Sequence, residues 1–202
     1  MGLFDLSTPG TNHTNAMIGK TDTRLLHFQG LEVANVANIH EHIPVPPGPG
    51  EAVFIWTIKQ FTTMSFIAWM IETMGTIDEL TISTYSIGTT TINTLMRYYD
   101  NGDILEGHIY LAAYAKRIAP KKVDLLRSQI GVRDRFSLSF GFNHSKVVTA
   151  KIGSAGYFTV CGSGNFSENA NNEQFVLVNS KQVYDFYKNI IRNDPTDRYR
   201  QG

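Results

Sequence analysis

Residues 144–178 read HSKVVTAKIGSAGYFTVCGSGNFSENANNEQFVLV, and this stretch decides the fold. It contains three short apolar runs, at residues 144–152, 157–161 and 174–178, rich in β-branched and aromatic residues and of strand length. A Gly-Ser-Ala-Gly turn joins the first two, and a longer polar connection, residues 162–173, joins the last two. Upstream, strands alternate with helices. Residues 61–74 read as a buried helix, with Phe61, Met64, Ile67, Ala68 and Ile71 at spacings of three and four, closed by Gly75 as C-cap. Residues 79–86 alternate as a strand. A helix over 90–99 stops at the turn Asp100-Asn101-Gly102-Asp103. A second strand spans 107–114. Pro120 opens a basic amphipathic helix over 121–130, and a third strand spans 135–140. Residues 52–58 read as either a strand or a helix start. A closing helix over 182–191 carries Val183, Phe186, Tyr187 and Ile190 on one stripe. Strands interleaved with helices predict an α/β fold: a mixed β-sheet sandwiched between helices.

Residues 1–50 have a different texture. They are rich in Thr, Asn and Gly and end in the breaker run Pro-Val-Pro-Pro-Gly-Pro-Gly over residues 44–50, a stiff extended linker. The expected organisation is an N-terminal arm and linker over 1–50, with a short helix over 31–39, and a single domain over 51–202.

Composition narrows the function. The 202 residues are 42% hydrophobic and 18% charged, which excludes a disordered or collagen-like chain. Basic and acidic side chains both number 18, which excludes a globally basic nucleic-acid binder. The neutrality hides a division: residues 1–110 hold 4 basic and 11 acidic side chains, net −7, and residues 111–202 hold 14 and 7, net +7. A polyanion would meet the C-terminal half, where Lys116, Arg117, Lys121 and Lys122 cluster; the other reading of that cluster is a solvated helix face. The single cysteine, Cys161, rules out an intramolecular disulfide framework and a Cys-rich zinc site. The opening residues MGLFDLSTPG lack a basic and an apolar signal region, and the apolar run over 61–71 is too short to span a bilayer. A cytoplasmic chain without stable membrane association is therefore expected.

Three features within 30 residues carry chemistry. His144-Ser145-Lys146 is expected to open a strand, where alternation would point the imidazole and the ammonium the same way. Gly162-Ser163-Gly164-Asn165 follows a strand, and its glycines would let backbone N–H groups approach an anion, with Ser163 and Asn165 adding side-chain donors. Glu173 opens the last strand, and a carboxylate beside an imidazole fixes its tautomer. Together they describe a phosphate site: Lys146, Ser163 and Asn165 bind the non-bridging oxygens, His144 is the nucleophile and Glu173 orients it. No acidic cluster suited to Mg²⁺ accompanies them in the sequence, so the positive charge would come from side chains.

The combination resembles the phospholipase D superfamily, whose motif is His-x-Lys-x4-Asp followed by Gly-Ser-x-Asn. His144-Ser145-Lys146 matches the first part, Gly162-Ser163-Gly164-Asn165 the second, and Glu173 the family's downstream acid. The likeness covers about 140 residues, and the stretch over 162–180 is similar to single-motif members carried by phages and mobile elements. One position departs: the family's Asp falls at Lys151. The resemblance implies a phosphohistidine intermediate, no metal or other cofactor, and two histidines per site. His13, His27, His40, His42 and His108 all lack the Lys two places on, so one motif per chain implies a homodimer. The expected function is a metal-independent phosphodiesterase, a nuclease acting on DNA or RNA. The alternative, prompted by Lys151 and the arm, is a catalytically weak or inactive nucleic-acid-binding or assembly subunit of a phage or mobile-element complex.

Other patterns weigh less. His40-Glu41-His42 lacks the i, i+4 spacing of a zinc helix and reads as a solvated turn. Gly19-Lys20-Thr21 lacks the upstream Gly of a P-loop, since Asn15 stands there. Trp56 and Trp69 read as core or interface, and Arg198 and Arg200 as a frayed tail.

Overall fold

A computed structural model describes residues 29–36, 39–57, 62–167 and 172–194. Expectations for residues 1–28, for Phe61 and for Arg198 and Arg200 lie outside the described residues. The elements run β1 (Gln29–Val36), α1 (Ile39–His42), β2 (Glu51–Thr57), α2 (Thr63–Met74), β3 (Glu79–Thr84), α3 (Thr89–Asp100), β4 (Gly107–Ala112), α4 (Ala115–Ile118), α5 (Pro120–Ile130), β5 (Phe136–Gly141), β6 (Val147–Ile152), β7 (Gly156–Gly162), β8 (Gln174–Asn179) and α6 (Lys181–Asn193). All eight strands form one sheet in the order β1-β2-β8-β7-β6-β3-β4-β5. The pairs β3/β4, β4/β5 and β1/β2 are parallel, and β2/β8, β8/β7, β7/β6 and β6/β3 are antiparallel. The short turn over 153–156 and the longer connection over 162–173 allow the antiparallel hairpins, whereas the parallel strands need the crossovers through α3 and α5.

The sheet's two faces differ in chemistry. Leu80 and Ile82 of β3, Ile109 and Leu111 of β4, Val148 and Ala150 of β6, Phe158 and Val160 of β7, and Phe175 and Leu177 of β8 face α2, α3 and α5 in one continuous apolar core. Alternation then sends Thr81, Ser83, His108, Thr149 and Thr159 to the opposite face, where they too are buried. α2 carries the apolar side through Phe66, Ile67, Trp69 and Met70, all fully buried, and Trp69 Nε1 donates to the Ile43 carbonyl at 3.0 Å. It ends at Gly75, whose φ of 89° is left-handed and whose N–H caps the Ile71 carbonyl.

α6 covers the polar face, and here the expected stripe holds only in part: Val183 and Tyr187 are half-buried. Tyr184 and Ile191 are buried, whereas Phe186 and Ile190 are 57% and 53% exposed. The helix turns its hydroxyl and cations to the sheet. Tyr184 Oη donates to Glu79 at 2.8 Å, Lys188 Nζ to the same carboxylate at 2.6 Å, and Arg192 bridges Glu79 and Glu106 at 2.9 and 3.1 Å. Burial raises the Glu79 pKa, but these partners outweigh it and hold the carboxyl below its ordinary range.

A second correction concerns the segment before the linker. Residues 29–36 are not helical: β1 lies parallel to β2 at the edge of the sheet, and only the single turn α1 follows. Of residues 52–58, whose pattern suits a strand or a helix start, residues 52–57 belong to β2 and Ile58 lies outside the described residues.

Candidate active site

The predicted residues meet at one edge of the sheet. That edge holds the carboxyl ends of β2, β3, β4 and β7 and the starts of β6 and β8, because Ser83 pairs with Val147, Val147 with Cys161, Gly162 with Phe175, and Trp56 with Gln174.

His144, Ser145 and Lys146 do not begin the strand, as the sequence suggested. They form the loop before β6, which starts at Val147. Strand alternation therefore does not aim His144 and Lys146; a buried amide does. Asn143 Oδ1 accepts the Ser145 N–H at 2.8 Å and the Ser145 hydroxyl at 2.7 Å, while its Nδ2 donates to the carbonyls of Thr84 and Tyr110, each at 3.1 Å. This ties the loop to the ends of β3 and β4. Ser145 is fastened again by a 2.5 Å contact between its hydroxyl and that of Ser83. With Ser145 held, Lys146 Nζ lies 3.1 Å from His144 Nδ1 and donates to the His144 carbonyl at 2.7 Å. Burial lowers the Lys146 pKa, and the opposing charge of Glu173 partly restores it, which places lysine and glutamate in one electrostatic neighbourhood. Asn143 and Ser83 were missed in the sequence; an Asn two residues before a Ser is the pattern of an Asx turn and marks this brace.

The second loop is held as firmly. Ser163 Oγ donates to Glu173 Oε2 and accepts the Gln174 N–H at 3.1 Å. Glu173 is buried, and its backbone is gripped by Thr57, whose hydroxyl accepts the Glu173 N–H and lies 3.1 Å from its carbonyl oxygen. The Glu173 carboxylate thus engages Ser163; among the described residues His144 has Lys146, not Glu173, beside its ring. Thr63 Oγ1 donates to the Gly164 carbonyl at 2.6 Å, and the Phe166 carbonyl accepts the Gly88 N–H and the Thr91 hydroxyl. Asn165 sits between these anchors with its Oδ1 buried and unpartnered among the described residues. The two glycines are needed for a reason the sequence did not show. A Cβ at Gly162 would stand 2.3 Å from the Phe175 ring and 2.4 Å from the Gln174 carbonyl, and one at Gly164 would stand 2.6 Å from the same ring. They let the loop lie flat on a fully buried phenylalanine.

Lys116 and Arg117 lie on α4, directly after β4 reaches this edge, and Lys121 and Lys122 on the first turn of α5. All four are exposed. Lys116 Nζ sits 4.0 Å above the Phe140 ring and the Arg117 guanidinium 4.5 Å from the Tyr114 ring. Lys151 is elsewhere. It is on β6 opposite Glu79, with its Nζ 3.6 Å from Asp78, at the end of the sheet remote from the site. Five residue steps along extended backbone separate it from Lys146, roughly 17 Å. His40, in the weakly weighed His-Glu-His run, pairs with Glu72 at 2.7 Å.

No family model and no curated protein matches the sequence. Solved structures do match in shape. Polyphosphate kinase from Porphyromonas gingivalis superposes with a TM-score of 0.53 at 14% identity, over 71% of this chain and 26% of that one. Phosphatidylserine synthase from Haemophilus influenzae Rd KW20 gives 0.51 at 12% identity, over 70% and 38%. Nuc, a phospholipase D family member from Salmonella typhimurium, gives 0.49 at 15% identity, over 64% and 84%. The chain thus spans well under half of the first two proteins and most of the third. At such identities the likeness is one of fold alone: this chain is a mixed sheet between helices, with both motif loops at one edge, and it shares its α/β fold with the polyphosphate kinase and the phosphatidylserine synthase.

Proposed function

We propose that the chain is a metal-independent phosphodiesterase of the phospholipase D type, a nuclease that works as a homodimer. The observation that carries this reading is the convergence of His144, Lys146, Ser163, Asn165 and Glu173 at one sheet edge from two separately anchored loops. Polyphosphate kinase and phosphatidylserine synthase are both named for a phosphorus-containing group, which accords with it.

In this reading Lys146 and Asn165 hold the non-bridging oxygens of a diester. An ammonium has no acceptor lone pair, so a hydrogen bond from Lys146 to Nδ1 requires the tautomer whose proton is on Nε2. A bound phosphate draws Lys146 off the ring and leaves the imidazole to attack. His144 forms the P–N bond as the P–O bond to the leaving group breaks, and the partner subunit's His144 protonates the departing oxygen. That same imidazole then takes a proton from water, whose oxygen displaces His144 from phosphorus. Ser163, bonded to Glu173, belongs to the loop that carries Asn165. Apolar side chains left exposed near this edge support a second copy: Trp56, 50% exposed, adjoins Thr57, and Phe54, 47% exposed, shares its face of β2. The basic residues of α4 and α5 favour nucleic acid. The binding-subunit alternative drew on Lys151 and on the arm; of these, Lys151 stands remote from the groups of the site.

The test is incubation with single- and double-stranded DNA and RNA, and with bis(p-nitrophenyl) phosphate, in excess EDTA. His144→Ala should abolish cleavage and keep binding, and Lys146→Ala should weaken both. Turnover by the His144 variant, or a monomer in sedimentation at the concentrations that show activity, ends this reading.

A further inference from the structure

A cleft of about 530 Å³ opens beside His144, within the roughly 300–1,000 Å³ range of small-ligand pockets. Its walls are Tyr85, Tyr114, Arg117, Phe142 and His144 itself. The rings continue outward from the histidine. Tyr85 lies 4.9 Å from the His144 ring, and Tyr114 stacks on Tyr85 with centroids 6.2 Å apart and planes 24° apart. The Arg117 guanidinium lies against Tyr114. Tyr114 is 44% exposed and Phe142 74% exposed, an unusual investment of aromatic surface at a polar edge. Phosphate chemistry alone needs none of these rings.

Nucleobases pulled out of a helix are bound on aromatic faces and on arginine planes, and stacking is tolerant of sequence because every base has a π-face. Lys116 is the neighbour of Arg117 on α4, and Lys121 and Lys122 lie on the first turn of the next helix, α5; these exposed cations suit a strand's flanking phosphates. A base in a duplex is stacked on both faces and cannot enter. We propose that this cleft is a nucleobase subsite and that the protein takes single-stranded nucleic acid, with one unstacked base on the Tyr85–Tyr114–Phe142 wall next to the phosphate at His144. The proposal rests on the phosphate site described above and adds the substrate class.

Binding separates the two. In the His144→Ala protein, where no strand is cut, fluorescence anisotropy compares a short single-stranded oligonucleotide, an abasic strand of equal length, and a blunt duplex. The base-bearing strand should bind at least about fivefold tighter than the abasic one, the effect of one stacked base. Tyr114→Ser and Phe142→Ser, both at exposed positions, should each shrink that preference at unchanged melting temperature. Equal affinity for the abasic strand, a duplex bound as tightly as the single strand, or a preference that survives both substitutions overturns the proposal. So does displacement of the strand by glycerophosphocholine at concentrations where a mononucleotide does not displace it, which would assign the cleft to a lipid headgroup. Hydrolysis of bis(p-nitrophenyl) phosphate, which carries no nucleobase, tests the phosphodiesterase reading separately: its absence ends that reading and leaves the base preference to decide the subsite.

Discussion

Asn143 offers the sharpest test of how the site is built. Its amide makes four hydrogen bonds inside the protein, two accepted from Ser145 and two donated to the Thr84 and Tyr110 carbonyls, and the residue is 8% exposed. Asn143→Ala removes all four and strands buried partners. At about 1 kcal/mol net for each bond, with some of the freed groups reaching water, the expected loss is about 2–4 kcal/mol. Asn143→Asp keeps the shape and the two acceptor contacts but points a carboxylate oxygen at two carbonyls. At neutral pH it should cost at least as much as alanine. Burial and the carbonyl dipoles raise the pKa of that carboxyl above its unfolded value. Its protonated form can donate to one carbonyl, so the stability it contributes is present at low pH and is lost as pH rises through the folded pKa. The deficit relative to the native protein should therefore narrow on acidification. Urea unfolding of the three proteins from pH 7.5 to 4.5 measures this. Both variants should also lose turnover on bis(p-nitrophenyl) phosphate beyond what the folded fraction explains, because the loop that carries His144 and Lys146 loses its brace. An alanine variant within about 0.5 kcal/mol of native, or an aspartate variant whose deficit ignores pH, refutes the argument.

Two further outcomes follow from the packing around the site. Gly164→Ala places a Cβ 2.6 Å from the Phe175 ring edge and should cost about 1–3 kcal/mol, and Phe175→Leu should relieve part of it in a double-mutant cycle. Gly162→Ala also meets the Gln174 backbone carbonyl at 2.4 Å, so the same leucine should rescue it less. His108 is buried between the hydroxyls of Ser137 and Ser139, at 2.8 and 3.0 Å, and burial, with the charge of Arg192, pushes its pKa down to about 4. The unfolded ring takes its proton near pH 6.5 and the folded one much later, so stability falls as pH drops through that window, by about 2 kcal/mol at pH 5. His108→Gln should flatten this part of the urea-measured pH profile.

Much of the fold could be read from local pattern. α2, α3 and α5 have helical periodicity with clear stops, and β3 to β8 are short apolar runs between turn residues. The failures share a cause: the deciding partner is remote in sequence. Residues 29–36 contain Leu31, Val33 and Val36, spaced to suit a helix or a strand, and pairing with β2 settles the matter. In α6 two stripes compete, and the inward one is chosen by what the sheet offers. That surface is lined by Thr81, His108, Thr149 and the carboxylates Glu79 and Glu106, so the helix buries Tyr184 and Arg192 against it and leaves Phe186 outside. At the site, the residue types were legible and their supports were not. Ser163 and Glu173 meet, but Glu173 does not reach His144, and Asn143, Thr57 and Thr63 do the positioning through bonds to segments as many as 116 residues away.

Lys151 shows how a departure from a motif can be weighed physically. The spacing of the motif places it four residues beyond Val147, next to the residues of chemical interest, and this adjacency makes the loss of an acid look costly. A strand converts sequence adjacency into distance, roughly 3.3 Å for each residue, so the position lies at the opposite end of β6. There it faces Asp78 and lies across from Glu79, while Lys188 and Arg192 approach Glu79 from α6. An aspartate at 151 would add a third carboxylate to that group, whereas the lysine supplies a cation where two acids already stand. The exchange is thus a local matter of charge balance at the foot of the sheet. The groups proposed to react stand at its head, held by Asn143 and by the Phe175 floor, at the other end of the strand from position 151.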